Sequence, residues 1–316
     1  MPLPIIDLHQ DLLAHLQNLE QFPFGQQTSF KMLERSNVKI VIATSFPMPE
    51  SADQQDMICL ELIEKDIKGY IEHAQKNLNW KIVRQAQDVT NILNTKNHHG
   101  IILHIEGLNL FDGSDWNLLE RWYELGWRSL GPVWNLTNHL GGGANDPKTG
   151  LTDLGAELIT WLQNKRMIID FAHMNKQTFW NSVELNHGPI MVSHANAQAL
   201  CPSPRNLDDA QLKAVAKSGG VVGLFLANTF VVGREHRGNI KNAADHLDYM
   251  SRIMDRDHLA LGTDFGGIFS GLLDGLENIT LVTNLFNELS RRGWTDQHLE
   301  DLAWKNATRV ITQLLC

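Results

Sequence analysis

A chain of 316 residues with 43% hydrophobic side chains can bury one large core, and α/β barrels fill this length as a single domain spanning 1–316. The formal charge of −9, with 36 acidic against 27 basic residues and no basic stripe interleaved with aromatics, argues against a nucleic-acid partner. Cys59, Cys201 and Cys316 are odd in number and widely spaced, a pattern of neither a disulfide framework nor a zinc site. No apolar run approaches the roughly 18 residues of a membrane span. No basic segment with an apolar core precedes Ile5, so the expectation is a soluble, cytoplasmic protein without a membrane partner.

Eight short runs rich in branched aliphatics read as strands, taken in chain order at 5–11, 38–44, 101–106, 128–134, 167–173, 190–194, 220–226 and 259–264. Between them lie helical patterns. The longest covers 51–78, where Met57, Leu60, Ile63, Ile67, Tyr70 or Ile71, Ala74 and Leu78 recur three or four apart. Others cover about 115–125, 153–165 (with Thr152 as a cap), 176–186, 208–218 and 241–254, and two more, 275–291 and 296–314, come after the eighth run. Eightfold alternation of strand and helix predicts an α/β fold, a (β/α)8 TIM-type barrel with its site at the C-terminal rim of the strands. A doubly wound open sheet competes less well, because its ligands gather at one switch point.

Five of these runs deliver a carboxylate or an imidazole at or near their C-terminal end. His9 and Asp11 are two residues apart, which on a strand places both on one face; a helix-start role for Asp11 is the alternative. Glu106 closes an apolar run, where a lone buried carboxylate would be costly; bridging two metal ions would neutralise it. His173 and His194 end consecutive strands and would be neighbours. Such N and O donors are ligands that zinc accepts. Two ions sharing a carboxylate, about 3.5–4 Å apart, hold a hydroxide between them. Asp264, ending the eighth run, could move the nucleophile's proton to a leaving amine, or simply cap the turn after it.

The chain resembles the renal (membrane) dipeptidases, peptidase family M19 of the amidohydrolase-like hydrolases, over its whole length. The resemblance rests on Asp7-Leu8-His9-Gln10-Asp11, Ile105-Glu106-Gly107, Ile169-Asp170-Phe171-Ala172-His173, Ser193-His194-Ala195-Asn196-Ala197, Pro204-Arg205-Asn206-Leu207, Gly262-Thr263-Asp264-Phe265 and Asn306-Ala307-Thr308-Arg309-Val310. It implies two zinc ions per chain, one on His9, Asp11 and Glu106 and one on Glu106, His173 and His194. It further implies Asp264 as general acid/base and Arg205 as partner of the substrate's terminal carboxylate. The implied activity is hydrolysis of dipeptides, including those with a C-terminal D-residue, by a metal-bridging hydroxide. The resemblance is also compatible with a homodimer.

Two departures stand out. The family's substrate-contacting histidine on the fourth strand is replaced by Trp134, followed by Asn135, and Gly266 stands where a further aspartate is common. Asn138, His139 or His104 would have to supply a substitute donor, and His104 shares the face of Glu106. These departures keep a different amide or lactam hydrolase open as an alternative, and a non-catalytic metal-binding barrel as a remoter one.

Overall fold

A computed structural model of the protein describes residues 3–13, 24–46, 58–269 and 271–316. Each of the eight aliphatic runs contains a strand: β1 (Ile5–Gln10), β2 (Val38–Ser45), β4 (His99–Glu106), β5 (Trp127–Gly131), β6 (Ile168–Ile169), β7 (Met191–Ala195), β8 (Val221–Leu224) and β9 (Leu259–Leu261). A ninth, β3 (Trp80–Ile82), pairs with residues 99–101 of β4, on the edge whose other half takes β5. Three residues were too short a run to stand out in the sequence.

All ladders are parallel, in the order β6-β5-β4-β2-β1-β9-β8-β7. This corrects the expected closed (β/α)8 barrel: the sheet is curled but open, a half-barrel whose edges β6 and β7 share no ladder. Among the described residues, one isolated bridge, Asp170↔Met191, spans that gap. The cause is the turn directly after β6. There the Asp170 carboxylate accepts from the amides of Ala172 (3.0 Å) and Ser193 (2.8 Å), and His173 turns into the left-handed region at φ 64°. Polar groups that a longer strand would commit to a ladder are used in a turn instead.

The curl separates two apolar layers. Ile6, Leu8, Ile40, Ile42, Ile102, Ile168, Met191, Val221 and Ala260, contributed by seven strands, form the inner one. Val89 and Ile92 of a helix not anticipated from the sequence, Ala86–Asn94, and Ala307, Val310 and Ile311 pack into it. The outer layer packs Val41, Leu103, Ile105, Leu130, Val192 and Leu261 against surrounding helices. Those helices match the expected pattern: Trp116–Leu125, Asp153–Asn164, Lys176–Leu185, Asp209–Lys217, Ile240–Met254 and Val282–Arg291. Thr152 caps its helix, its hydroxyl accepting from the Gly155 amide at 3.0 Å. The expected helix at 51–78 is present as Ile58–Lys76, and residues 51–57 lie outside the described residues.

The end of the chain is helical from Asp296 to Leu314, with π geometry over Asp301–Lys305. Asn306 donates to the carbonyls of Arg256 and Leu259 (2.8 and 2.9 Å), which ties this helix to the base of β9. Arg309 bonds the carbonyls of Gly219 and Asp257. That accounts for the motif closing the sequence: it is structural. Among the described residues no helix is long and apolar enough to cross a membrane.

Candidate metal centre

Two irregularities in the sheet aim the key imidazoles. Between Asp7↔Val41 and Gln10↔Ala43, β1 spends three steps against two of β2. Between Val192↔Val222 and Ala195↔Leu224, β7 does the same against β8. An extra residue breaks the strict alternation of faces, so a side chain that would point outward is redirected. Leu8 therefore stays in the inner layer while the adjacent His9 reaches the rim, and His194 turns inward from its own bulge. The second bulge also pushes the Ser193 carbonyl into the half-barrel. A Cβ at Gly223 or Gly262 would lie 1.9 or 1.7 Å from that oxygen, so both positions require glycine.

At the rim, three imidazoles converge on one carboxylate oxygen. The Nε2 atoms of His173, His9 and His194 lie 2.9, 3.4 and 3.4 Å from Glu106 Oε1. Asp11 Oδ2 and Asp264 Oδ1 lie 3.7 and 3.6 Å from His9 Nε2, and the Nε2 atoms of His173 and His194 are 3.1 Å apart. The far side of every ring is occupied. His173 Nδ1 faces Asn135 Oδ1 at 2.9 Å, and Ser193 Oγ faces His194 Nδ1 at 2.8 Å and His9 Nδ1 at 3.4 Å. With Nδ1 carrying the proton, each Nε2 presents a lone pair to the others and to Glu106 Oε1, which has no hydrogen-bond partner among the described residues.

Burial pushes all three imidazoles far below the ordinary histidine range and holds them neutral, the form that ligates metal. Burial, reinforced by Asp264, pushes Glu106 well above the carboxylate range; Asp11 rises for the same reasons, with Glu106 itself adding to the push. Asp264 rises to about 7, mainly through burial, with the Arg205 guanidinium working against the shift. Converging imidazole lone pairs and buried carboxylates make a donor set that a cation would satisfy. The residues fit a cation: His9–Asp11–Glu106 and Glu106–His173–His194 each bring three ligand atoms within 4.8 Å of one another. His9–His194–Asp264 and His9–His104–Asp170 meet the same distance test.

The cluster floors a cavity of about 360 Å³. Arg205 lies buried in its wall, its Nη2 donating to the His194 carbonyl at 3.1 Å while its Nε has no partner among the described residues. Burial lowers Arg205 to about 10, opposed by Glu106 and Asp264. Trp134 and Asn135 also line the cavity, Trp134 with its ring 4.7 Å from Phe46 and 5.9 Å from His173. His104 is elsewhere: it lies beneath the cluster, Nδ1 2.8 Å from Ser129 Oγ and Nε2 3.7 Å from Asp170, and does not line the cavity. Burial pushes it down to about 4. His139 is exposed on the loop after β5 and is also absent from the lining. Asn138 braces that loop by donating to the Pro132 carbonyl at 2.8 Å.

Several contributors were not singled out in the sequence. Phe225, Phe230, Ile268 and Phe269 form the apolar wall and Arg234 adds a second cation to the lining. Arg234, Ile268 and Phe269 come from loops, Phe230 from the four-residue helix Asn228–Val231 and Phe225 from the residue directly after β8, segments where no periodicity marks a site. Asp7, noted only as part of a motif, ties β1 to the loop after β9 by accepting from the Thr263 amide (2.9 Å) and hydroxyl (2.6 Å).

The profile of the membrane dipeptidase family, peptidase family M19, matches residues 1–315. A Klebsiella pneumoniae protein described by its place in the pqqA 5′ region is 39% identical over 221 residues, 67% of this chain and 80% of that one. Rat Dipeptidase 3 is 26% identical over 98% of this chain, which spans 65% of the rat protein's length. Among solved structures, a metallo peptidase from Rhodobacter sphaeroides, liganded with a phosphinate mimic of the dipeptide L-Ala-D-Ala, superposes with a TM-score of 0.87 at 23% identity, over 99% of this chain and 100% of that one. With its cluster of neutral imidazoles and buried carboxylates, the chain belongs to the membrane dipeptidase family, peptidase M19, and is a metal-dependent hydrolase of dipeptides.

Proposed function

We propose that the chain is a zinc dipeptidase with two ions, one on His9, Asp11 and Glu106 and the other on Glu106, His173 and His194, Glu106 serving both. The observation that carries this reading is the meeting of three Nε2 lone pairs at Glu106 Oε1, with the Nδ1 side of every ring already engaged. When bound, such ions lower the pKa of water and polarise a carbonyl oxygen. The rest falls to the chain's own groups. Asp264 faces the cavity with a carboxyl held near neutrality, suited to taking a proton from the attacking water and giving it to the leaving amine. Arg205 presents an Nε that has no partner among the described residues, inside an aromatic wall, the setting in which a guanidinium fork pairs with a carboxylate. The substrate is then a short peptide with a free C-terminus, and the L-Ala-D-Ala mimic held by the Rhodobacter relative supports a dipeptide with a D-residue at that end.

The test is steady-state hydrolysis of L-Xaa-L-Ala and L-Xaa-D-Ala dipeptides by zinc-loaded and chelated protein. Zinc-dependent turnover supports the reading. Two bound zinc ions without turnover of any dipeptide would move the substrate to another amide.

Arg205→Lys keeps the charge and loses the fork. A charge-assisted hydrogen bond is worth about 1.5–3 kcal/mol, so kcat/KM is expected to fall roughly ten- to a hundredfold, carried by KM. An unchanged KM would remove Arg205 from substrate binding. Zinc affinity is expected to fall as pH drops, because burial raises the ligand carboxyls of Asp11 and Glu106 above the ordinary carboxylate range and the ions must displace the protons they take up. Calorimetry near pH 6 in buffers of differing ionisation enthalpy should therefore show proton release on zinc uptake; none would mean that the carboxylates are already ionised.

A further inference from the structure

Ser193 lies fully buried one residue before His194, and its hydroxyl is the meeting point of three groups. It donates to Asp170 Oδ2, while Asp170 Oδ1 holds the Ser193 amide at 2.8 Å and the Ala172 amide at 3.0 Å. Its remaining contacts are the Nδ1 atoms of His194 (2.8 Å) and His9 (3.4 Å), whose rings lie 4.1 Å apart. A serine hydroxyl has one proton and two lone pairs. With the hydroxyl proton given to Asp170 Oδ2, both lone pairs are left to accept, and the only donors facing them among the described residues are the two Nδ1–H groups. That fixes the tautomer of both rings and leaves both Nε2 atoms unprotonated toward Glu106.

From this geometry we propose that Ser193, anchored by Asp170, is a single positioning residue for both metal sites, setting one imidazole ligand in each. The proposal rests on the two-ion reading above. Among the described residues, no other fully buried polar group touches both rings on their Nδ1 side. His173, by contrast, is set separately by Asn135. The two devices therefore make different predictions: losing Ser193 should disturb both sites, and losing Asn135 only the site that His173 serves. Partners behind metal-bound histidines typically matter about 10–100-fold in affinity.

The experiment is zinc titration of metal-free protein against a competing chelator, for wild type, Ser193→Ala and Asn135→Ala. It is paired with 15N shifts of the histidine rings before zinc is added. Ser193→Ala is expected to weaken both ions by about 10–100-fold and to give His9 and His194 mixed tautomers; Asn135→Ala should weaken one ion only. If Ser193→Ala does not fold, Asp170→Asn, which keeps an acceptor oxygen but lacks the charge, should weaken both ions in the same direction by less. Unchanged affinity for both ions, loss confined to one, or unaltered ring shifts would overturn the proposal while leaving the two-ion centre standing. Wild-type protein that takes up fewer than two ions would overturn both.

Discussion

Glu106→Gln is expected to bring dipeptide hydrolysis down to the level of a chelator-treated sample. Glu106 Oε1 is the point on which the Nε2 atoms of His9, His173 and His194 converge, so one substitution removes a ligand from both proposed ions. A neutral amide oxygen neither matches the charge of two divalent cations nor balances three lone pairs. The same substitution should leave the metal-free fold at least as stable as wild type. A buried carboxylate beside Asp11 and Asp264 is costly, and glutamine removes that cost while preserving shape. Activity, zinc content and thermal midpoint with and without zinc check this together. The expected pattern is no activity, reduced zinc and no zinc-induced rise in midpoint, on a metal-free midpoint that has not fallen. A variant that keeps two ions and turns over dipeptides would show that Glu106 is not the shared ligand.

Asp264→Asn should act differently: zinc retained, chemistry lost. Asp264 sits at φ 62°, a left-handed conformation that few residues accept but that asparagine adopts at least as readily as aspartate. The backbone should therefore survive the change, and the loss reports the carboxyl alone. Positioned acid/base groups contribute about 10²–10⁴-fold, and kcat is expected to fall within that range with KM little altered. Zinc content must be measured alongside, because Asp264 Oδ1 is close enough to His9 and His194 to ligate an ion itself. A variant that loses an ion would make Asp264 a ligand; one that keeps both ions and full kcat would remove it from catalysis.

The strands were legible because parallel strands buried on both faces must be apolar throughout, and these runs are. The polar residues ending them were legible for the same reason: His9, Glu106, His173, His194 and Asp264 interrupt apolar sequence at a cost that calls for a purpose. What turned them toward one another was not legible. The face-sharing argument that put His9 and Asp11 together assumed an unbroken strand, whereas β1 and β7 each carry a bulge that redirects a ligand. Bulges leave no residue signature. Gly223 and Gly262 are the nearest thing to one, and they mark the bulge from the neighbouring strands. The shared face of His104 and Glu106 led toward the cavity, but His104 points into the layer below, where Ser129 and Asp170 take it up. The open seam could not be read either, since Asp170 and His173 belong to the same apolar-looking run as β6.

That seam has a mechanical consequence. His173 and His194 stand on opposite banks of the gap between β6 and β7, joined across it, among the described residues, by the Phe171 amide on the Met191 carbonyl (2.9 Å) and by the Ser193 amide and hydroxyl on Asp170. An ion gripped by both imidazoles is then a rivet through the weakest line of the sheet. Without it, opening there should cost far less than opening the long β2–β4 ladder, so the Phe171 and Ser193 amides should exchange with deuterium well before those of Val41 and Ile102. Loading the site should slow exchange along the seam and leave the β2–β4 ladder unchanged, so that occupancy of the centre could be read from backbone protection without any substrate.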